Sequence, residues 1–236
     1  MVRAVRTKDP LGPDRAWVEA LTGARKEAVS VALQEAKADL RLSEHIAFQH
    51  QASGRKFYAQ IGAPLALYAL VRLLKPAHVV EVGVSSGVSS SYFLKALRKN
   101  RRGTLHSIDF PTPQKGPVFS EKVDSAVAVP PGMMSGWAVP PTLRKGWDLR
   151  IGKSQELLPT LVSEVDQIDL FLHDDLHTYQ HATWEFRTVD PKVPSGGLVL
   201  ADNTNWLDGA LSEWAARKGA RTFRRTGTWL AGFRKP

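Results

Sequence analysis

The sequence predicts an α/β fold: a seven-stranded, mostly parallel sheet with helices on both faces, preceded by a helical extension. Two observations predict it. From residue 78 onward, short apolar runs alternate with segments of helical period, as in a parallel sheet covered on both sides. The chain has 236 residues, 43% apolar and 23% charged, which suits one sizeable core and excludes collagen-like and low-complexity chains.

Residues 1–60 read as the helical extension. Trp17, Val18, Leu21, Ala24, Ala28, Val31, Ala32 and Leu40 recur at helical spacing, which predicts a helix over 15–50, broken at Ala52-Ser53-Gly54. Residues 61–236 form the main domain. It opens with a helix from Pro64, a residue suited to a first helical turn, through Leu65, Tyr68, Val71 and Leu74 to the Lys75-Pro76 stop. Strands are predicted at 78–83, 103–109, 147–151, 167–173 and 197–202, with helices at 88–99, 154–163 and 179–189. The last helix carries Tyr179, Ala182, Phe186 and Val189 on one face. ARTFRRTG and TWLAGFRK flank Gly227 and predict a closing hairpin, whose two strands bring the sheet to seven. The connection 110–146 is 37 residues long with seven prolines, far beyond an ordinary loop. Because it carries Phe119, Met133, Met134 and Trp137, it reads as a substrate-covering insert rather than a disordered one.

Composition removes several classes of function. There is no cysteine, hence no disulfide, thiolate nucleophile or thiolate metal site. No apolar run nears the ~20 residues that cross a bilayer. The N-terminus MVRAVRTKDPLGPDR lacks a signal-peptide core, so a cytoplasmic protein without membrane contact is expected. The net charge is +9, and no acid follows Glu213, whereas Arg217, Lys218, Arg221, Arg224, Arg225, Arg234 and Lys235 do. A second basic group is Lys95, Arg98, Lys99, Arg101 and Arg102. Such clusters can track phosphates, but a solvated face is the simpler reading.

Ligands of open parallel sheets sit beyond the carboxyl ends of the strands. The first strand ends in Glu81-Val82-Gly83-Val84-Ser85-Ser86-Gly87-Val88-Ser89. Gly83 and Gly87 permit a tight turn with close backbone approach to a ligand, and the helix from Val88 aims its free N–H groups at the same spot. Asp109 ends the second strand, where it can accept hydrogen bonds from both ribose hydroxyls of an adenosine-containing cofactor. A dinucleotide fingerprint would need a glycine at Ser85, so the G-x-x-x-G spacing, with Ser86 also inside it, is a poor pyrophosphate cradle.

The glycine turn with Glu81 two residues before it resembles that of Rossmann-like S-adenosylmethionine-dependent methyltransferases. The run from Ile151 to Pro159 resembles the adenine-holding segment of the catechol O-methyltransferase-like group, which implies that Ser154 and Gln155 bound the adenine. The same resemblance implies that Ser89 meets the methionine carboxylate and that Asp202 and Asn203 bind a divalent cation, Mg or Mn. FLHDDLHTY, GWAVP and LVRLLKPAHVVEVGVSSGVSS are similar to methyltransferase family 24, bacterial small-molecule enzymes, over about residues 60 to 205.

The metal-dependent group has an Asp at the fourth strand's end and a Lys base three residues later. Matching FLHDDLHTY without a gap, anchored on Phe171 and Tyr179, puts His173 at the Asp and Leu176 at the Lys. Asp175 then falls on the second Asp of the antibiotic-sugar O-methyltransferases, a proposed base there. His173, Asp175 and His177 are therefore the candidate catalytic residues. Asp202, Asn203 and His173 are the candidate cation ligands, with Asp174 a cofactor-site residue that could supply an oxygen instead. His181 is expected on the helix surface; Trp137, Trp147 and Trp206 are expected first of all in the packing, with only Trp137 and Trp206 near segments that line a substrate pocket. The resemblance implies methyl transfer to a hydroxyl of a small polar metabolite or sugar. Two rivals stand beside it: an RNA methyltransferase using the basic tail, and a non-methylating binding protein or metal-dependent oxygenase on the same fold. A homodimer is left open.

Overall fold

A computed structural model describes residues 9–54, 61–111, 129–130 and 132–236. Helices α1 (Gly12–Thr22), α2 (Lys26–Ala38), α3 (Leu40–Ala52) and α4 (Pro64–Leu74) lead into β1 (His78–Val82), α5 (Val88–Asn100) and β2 (Thr104–Asp109). After the insert come β3 (Asp148–Ile151), α6 (Ser154–Glu164), β4 (Leu170–His173), α7 (Tyr179–Val189), β5 (Leu198–Ala201), α8 (Ala210–Arg217), β6 (Phe223–Arg224) and β7 (Ala231–Arg234).

The seven strands lie in the order β3-β2-β1-β4-β5-β7-β6. β1 to β5 are parallel, and β7 runs antiparallel to both β5 and β6. The chain winds outward from β1 to β3, then returns to place β4 on the other side of β1. The reversal falls between β1 and β4, and ligands of such sheets usually sit beyond the carboxyl ends of the strands at that point.

Strand alternation divides the core in two. Val79, Leu105, Leu170, Leu172, Leu198 and Leu200 face one way and pack with α1 to α5. Val80, Val82, Ile108, Phe171, Val199 and Ala201 face the other and pack with α6, α7 and α8. The N-terminal helices thus share a core with the sheet. Trp17 Nε1 donates to the Phe223 carbonyl at 2.7 Å, and Asp14 pairs with Arg225 at 2.7 Å. Glu35 meets Arg72 at 2.9 Å and Lys99 at 3.2 Å, while Lys95 pairs with Asp39, so part of the basic run of α5 faces acids of α2 and its C-terminal end.

The sequence predicted one helix over 15–50; three form. Gly23 ends α1 in the left-handed region (φ 68°), its N–H on the Glu19 carbonyl. Asp39 then interrupts the run and its carboxylate accepts from the Leu42 N–H, starting α3 as a side-chain cap. Helix α8 was not anticipated, although Ala210, Leu211, Trp214 and Ala215 are buried at helical spacing. Phe119 lies outside the described residues, as does the predicted boundary at residue 60. Met133 and Met134 are exposed, whereas Trp137 is buried. Among the described residues no helix is long and apolar enough to cross a membrane.

Candidate active site

The β1–α5 turn is built by close approach of backbone. Gly83 and Gly87 both hold positive φ, 90° and 88°. A Cβ on Gly83 would collide with the Asp174 carbonyl, and one on Gly87 with Val139 and Gly136. The sequence reading assigned that closeness to a ligand; among the described residues it serves contacts with the exit of β4 and with the segment 135–139. That segment lies along the turn: Gly136 N–H donates to the Ser85 carbonyl at 2.8 Å and Ala138 N–H to the Ser86 carbonyl at 2.9 Å. From α3, His50 Nε2 lies 3.1 Å from Ser86 Oγ, and its ring lies 5.2 Å from that of Trp137.

Asp109 stands at the next strand end. Its Oδ1 accepts from Val84 N–H at 3.0 Å, and its Oδ2 accepts from the Ser135 hydroxyl. Burial pushes its carboxyl up, while Ser135 and the Val84 and Ser85 N–H groups oppose that shift. Phe110 follows, 51% exposed, with Lys153 Nζ 6.0 Å from its ring centroid.

Glu81 is fully buried and points toward α5. It accepts from Ser89 Oγ at 2.5 Å, Ser90 Oγ at 2.6 Å and Ser107 Oγ at 2.7 Å. Burial pushes it up to about 7 despite these three donors. Ser89, expected on a methionine carboxylate, therefore donates its hydroxyl hydrogen bond to Glu81.

At the exit of β4 the chain separates its acids and histidines. His173 shares the face of Phe171, toward α7, and its Nδ1 lies 2.8 Å from Glu185 Oε2. Asp174, one residue on, lies beside Asp202 instead, and its Oδ1 is 3.4 Å from His177 Nε2. Burial pushes Asp174 up to about 7, with Asp202 adding to the shift and His177 opposing it. Asn203 Nδ2 lies 3.3 Å from His177 Nε2, and the Trp206 ring packs edge-on against His177, centroids 5.6 Å apart. The group that forms is thus Asp174, His177, Asp202 and Asn203. The gapless match was displaced by one position. Asp174, rather than His173, stands with the Asp202-Asn203 pair, and His177 follows three residues later, where Leu176 had been placed.

Asp175 turns into a second group. It accepts from His181 Nε2 at 3.0 Å and Ser154 Oγ at 3.2 Å. Burial would raise it, but the His181 and His173 rings outweigh that and hold it at about 2. So tightly held a carboxylate is a poor proton acceptor, which counts against the expected base role. His181, expected on the surface, is buried. Burial opposes its charge, yet Asp175 and Glu185 raise it to about 10. Ser154, expected beside the adenine, is buried with its hydroxyl 3.1 Å from His181 Nε2. Gln155 is exposed at the start of α6, its amide 3.1 Å from His181 Nδ1.

The sequence reading missed Glu185, Ser135, His50 and Phe110. Glu185 had a signal, because it falls on the buried face of α7 beside Ala182, Phe186 and Val189. Ser135 and His50 had none, for their partners are distant in the chain.

A model of the methyltransferase domain matches residues 80–204, more than half the chain and every residue from Glu81 to Asn203. The chain belongs to this methyltransferase family. No curated protein matches it. Solved structures share the fold of this methyltransferase. An O-methyltransferase from Bacillus cereus in complex with S-adenosylhomocysteine is 14% identical, with 84% of this chain and 91% of that one covered and a TM-score of 0.56. An O-methyltransferase from Streptomyces achromogenes involved in tomaymycin synthesis, in complex with S-adenosylmethionine, is 16% identical over 94% and 96%, TM-score 0.56. A Podospora anserina methyltransferase bound to S-adenosylhomocysteine is 14% identical over the full length of both, TM-score 0.56.

Proposed function

We propose that this methyltransferase binds S-adenosylmethionine beyond β1 and β2 and methylates a hydroxyl of a small polar molecule, with His177 as the proton acceptor. The observation that carries the reading is the convergence, at the reversal of strand order, of the glycine turn, the Asp109 carboxylate and the Asp174–His177–Asp202–Asn203 group. Three structural neighbours are complexes with S-adenosylmethionine or its demethylated product, which supports the choice of donor.

Asp109 is placed to accept ribose hydroxyls, and the exposed ring of Phe110 offers an apolar face for adenine. Methyl transfer is an in-line displacement. The carbon–sulfur bond breaks as the carbon–oxygen bond forms, the sulfonium leaves as a thioether, and the hydroxyl proton must be taken up. Positioning supplies most of the rate. His177 suits the proton, because imidazole accepts one near neutral pH. Its ring is fixed by Asp174, Asn203 and Trp206. Asp174, Asp202 and Asn203 also offer hard oxygen donors, and two adjoining carboxylates fit a divalent cation, Mg or Mn, in place of the expected set with His173. Such an ion, when bound, lowers the pKa of a coordinated hydroxyl.

A small acceptor is favoured over RNA because the tail's cations already have partners. Lys218 and Lys235 meet Asp190 at 2.6 and 3.3 Å, Arg225 meets Asp14, and Arg221 and Arg224 lie over Phe223 and Trp229. Calorimetry with S-adenosylhomocysteine should show one site, weakened roughly 10- to 100-fold by Asp109→Ala through loss of charge-assisted hydrogen bonds. Absence of uptake by folded protein would overturn the assignment. A labelled-methyl assay on sugars and other polyhydroxy compounds, with and without Mg2+, then tests the acceptor class.

A further inference from the structure

We propose that His173, Asp175, His181 and Glu185 form a second metal site, for a first-row transition ion of the zinc class, separate from the oxygen-donor group at Asp174. The four side chains close a ring of alternating acid and base. His173 Nδ1 lies 2.8 Å from Glu185 Oε2, Glu185 Oε1 lies 3.2 Å from His181 Nε2, His181 Nε2 lies 3.0 Å from Asp175 Oδ2, and Asp175 Oδ1 lies 3.4 Å from His173 Nδ1. Ligands bonded at about 2.0–2.2 Å to one tetrahedral ion stand about 3.3 Å from one another, close to the spacings around this ring; His181 meets the second oxygen of each carboxylate, so its ring must move inward to complete the shell. One atom each of His173, Asp175 and Glu185 already lies within 4.8 Å of the others.

A network of hydrogen bonds alone explains the ring less well. Asp175 Oδ1 is buried without a hydrogen-bond partner, and His173 is buried completely. Orphaned atoms of this kind are rare in native interiors. His181 Nε2 has three oxygen neighbours, Asp175, Ser154 and Glu185, at 3.0, 3.1 and 3.2 Å. Its one hydrogen can serve only one of them well, whereas an ion on that nitrogen interacts with both carboxylates at once. Ser154 Oγ supports the ring from outside, on Asp175 at 3.2 Å, and the Gln155 amide sits 3.1 Å from His181 Nδ1, where a flip of that amide presents its oxygen to the Nδ1–H of a metal-bound imidazole.

Two imidazoles with two carboxylates favour Zn2+ over Mg2+, which takes oxygen donors. Four protein ligands make a closed site, structural rather than catalytic. The ion would clamp α7 to the end of β4, and Asp174 and His177 lie between those elements. Binding there would therefore hold the proposed catalytic pair in place. The inference stands on the ring's own geometry and not on the identity of the methyl donor or acceptor.

Chelator-treated full-length protein should be dialysed against Zn2+ alone, then against Zn2+ with excess Mg2+, with bound metal measured by elemental analysis and unfolding followed by heat. One equivalent of Zn2+ should bind in both cases and raise the melting temperature. Co2+ in its place should give the visible absorption of a tetrahedral ion. Glu185→Gln and His181→Gln should each weaken binding about 100-fold or more, Gln155→Ala about 10-fold, and Asp202→Asn not at all. Gln155 is exposed, so that variant keeps the test decisive if the buried substitutions fail to fold. Folded protein that takes up no Zn2+, or uptake lost in Asp202→Asn but kept in Glu185→Gln and His181→Gln, would overturn the site and leave a proton-bridged network.

Discussion

His177 is engaged at Nε2 by both Asp174 Oδ1 at 3.4 Å and the Asn203 amide at 3.3 Å, with its ring edge-on to Trp206. A group so placed to take a proton contributes about 100- to 10,000-fold in rate. His177→Ala should therefore lower kcat by that order while leaving S-adenosylhomocysteine affinity unchanged, as rapid-quench rates and calorimetry on one preparation would show. Glu81 offers a different test. Its carboxyl moves from the usual 4.5 to about 7 in the fold, because burial disfavours the charge more than three serine hydroxyls favour it. Raising an acid's pKa on folding means that the folded state binds the proton more tightly. The resulting stabilisation is complete below 4.5 and is lost as pH rises through 7. The shift corresponds to roughly 3 kcal/mol. Glu81→Gln remains neutral, so its stability relative to the parent should rise between pH 5 and pH 8 in denaturant titrations. Parallel curves would refute the assignment.

The segment from Ser135 to Val139 behaves as an inserted strap across the β1–α5 turn. Two backbone hydrogen bonds fix it to Ser85 and Ser86, and Ser135 caps Asp109 Oδ2. A ribose hydroxyl would compete for that same oxygen. Ser135→Ala should therefore tighten S-adenosylhomocysteine binding several-fold, about what one hydrogen bond is worth, and calorimetry would read it. Weaker binding in that variant would mean that Ser135 contacts the cofactor instead. A proline-rich stretch has no period from which this docking could be read. Helix α7 was the opposite case: Tyr179, Ala182, Phe186 and Val189 located it, and the same face held Glu185.

Taken together, the helices before the sheet and the strands after it close on one another. Trp17 and Asp14 of α1 bind Phe223 and Arg225 near the other end of the chain. The residues of α4 from Ala66 to Val71 are all buried, partly by α1 and α2. Exposed ion pairs such as Lys99 with Glu35 add little to this, whereas the shared apolar core adds much. A chain starting at residue 61 would expose one side of α4, so it should be insoluble or fail to refold, as centrifugation and circular dichroism would show. A soluble, cooperatively melting fragment would contradict that.

Periodicity and short motifs carried the α/β class, the five parallel strands, the hairpin, the glycine turn and Asp109, because each is written in neighbouring residues. They could not say which way FLHDDLH points its side chains. That depends on the residue at which β4 stops and on the pleat that sends His173 to α7 and leaves Asp174 for Asp202. They were equally silent on Ser135 meeting Asp109 across 26 residues, and on Asp175 bending back to a helix six residues on. Contacts of this kind are set by how elements pack. A local pattern fixes which face of an element is apolar, but not which distant partner that face, or the loop beside it, will meet.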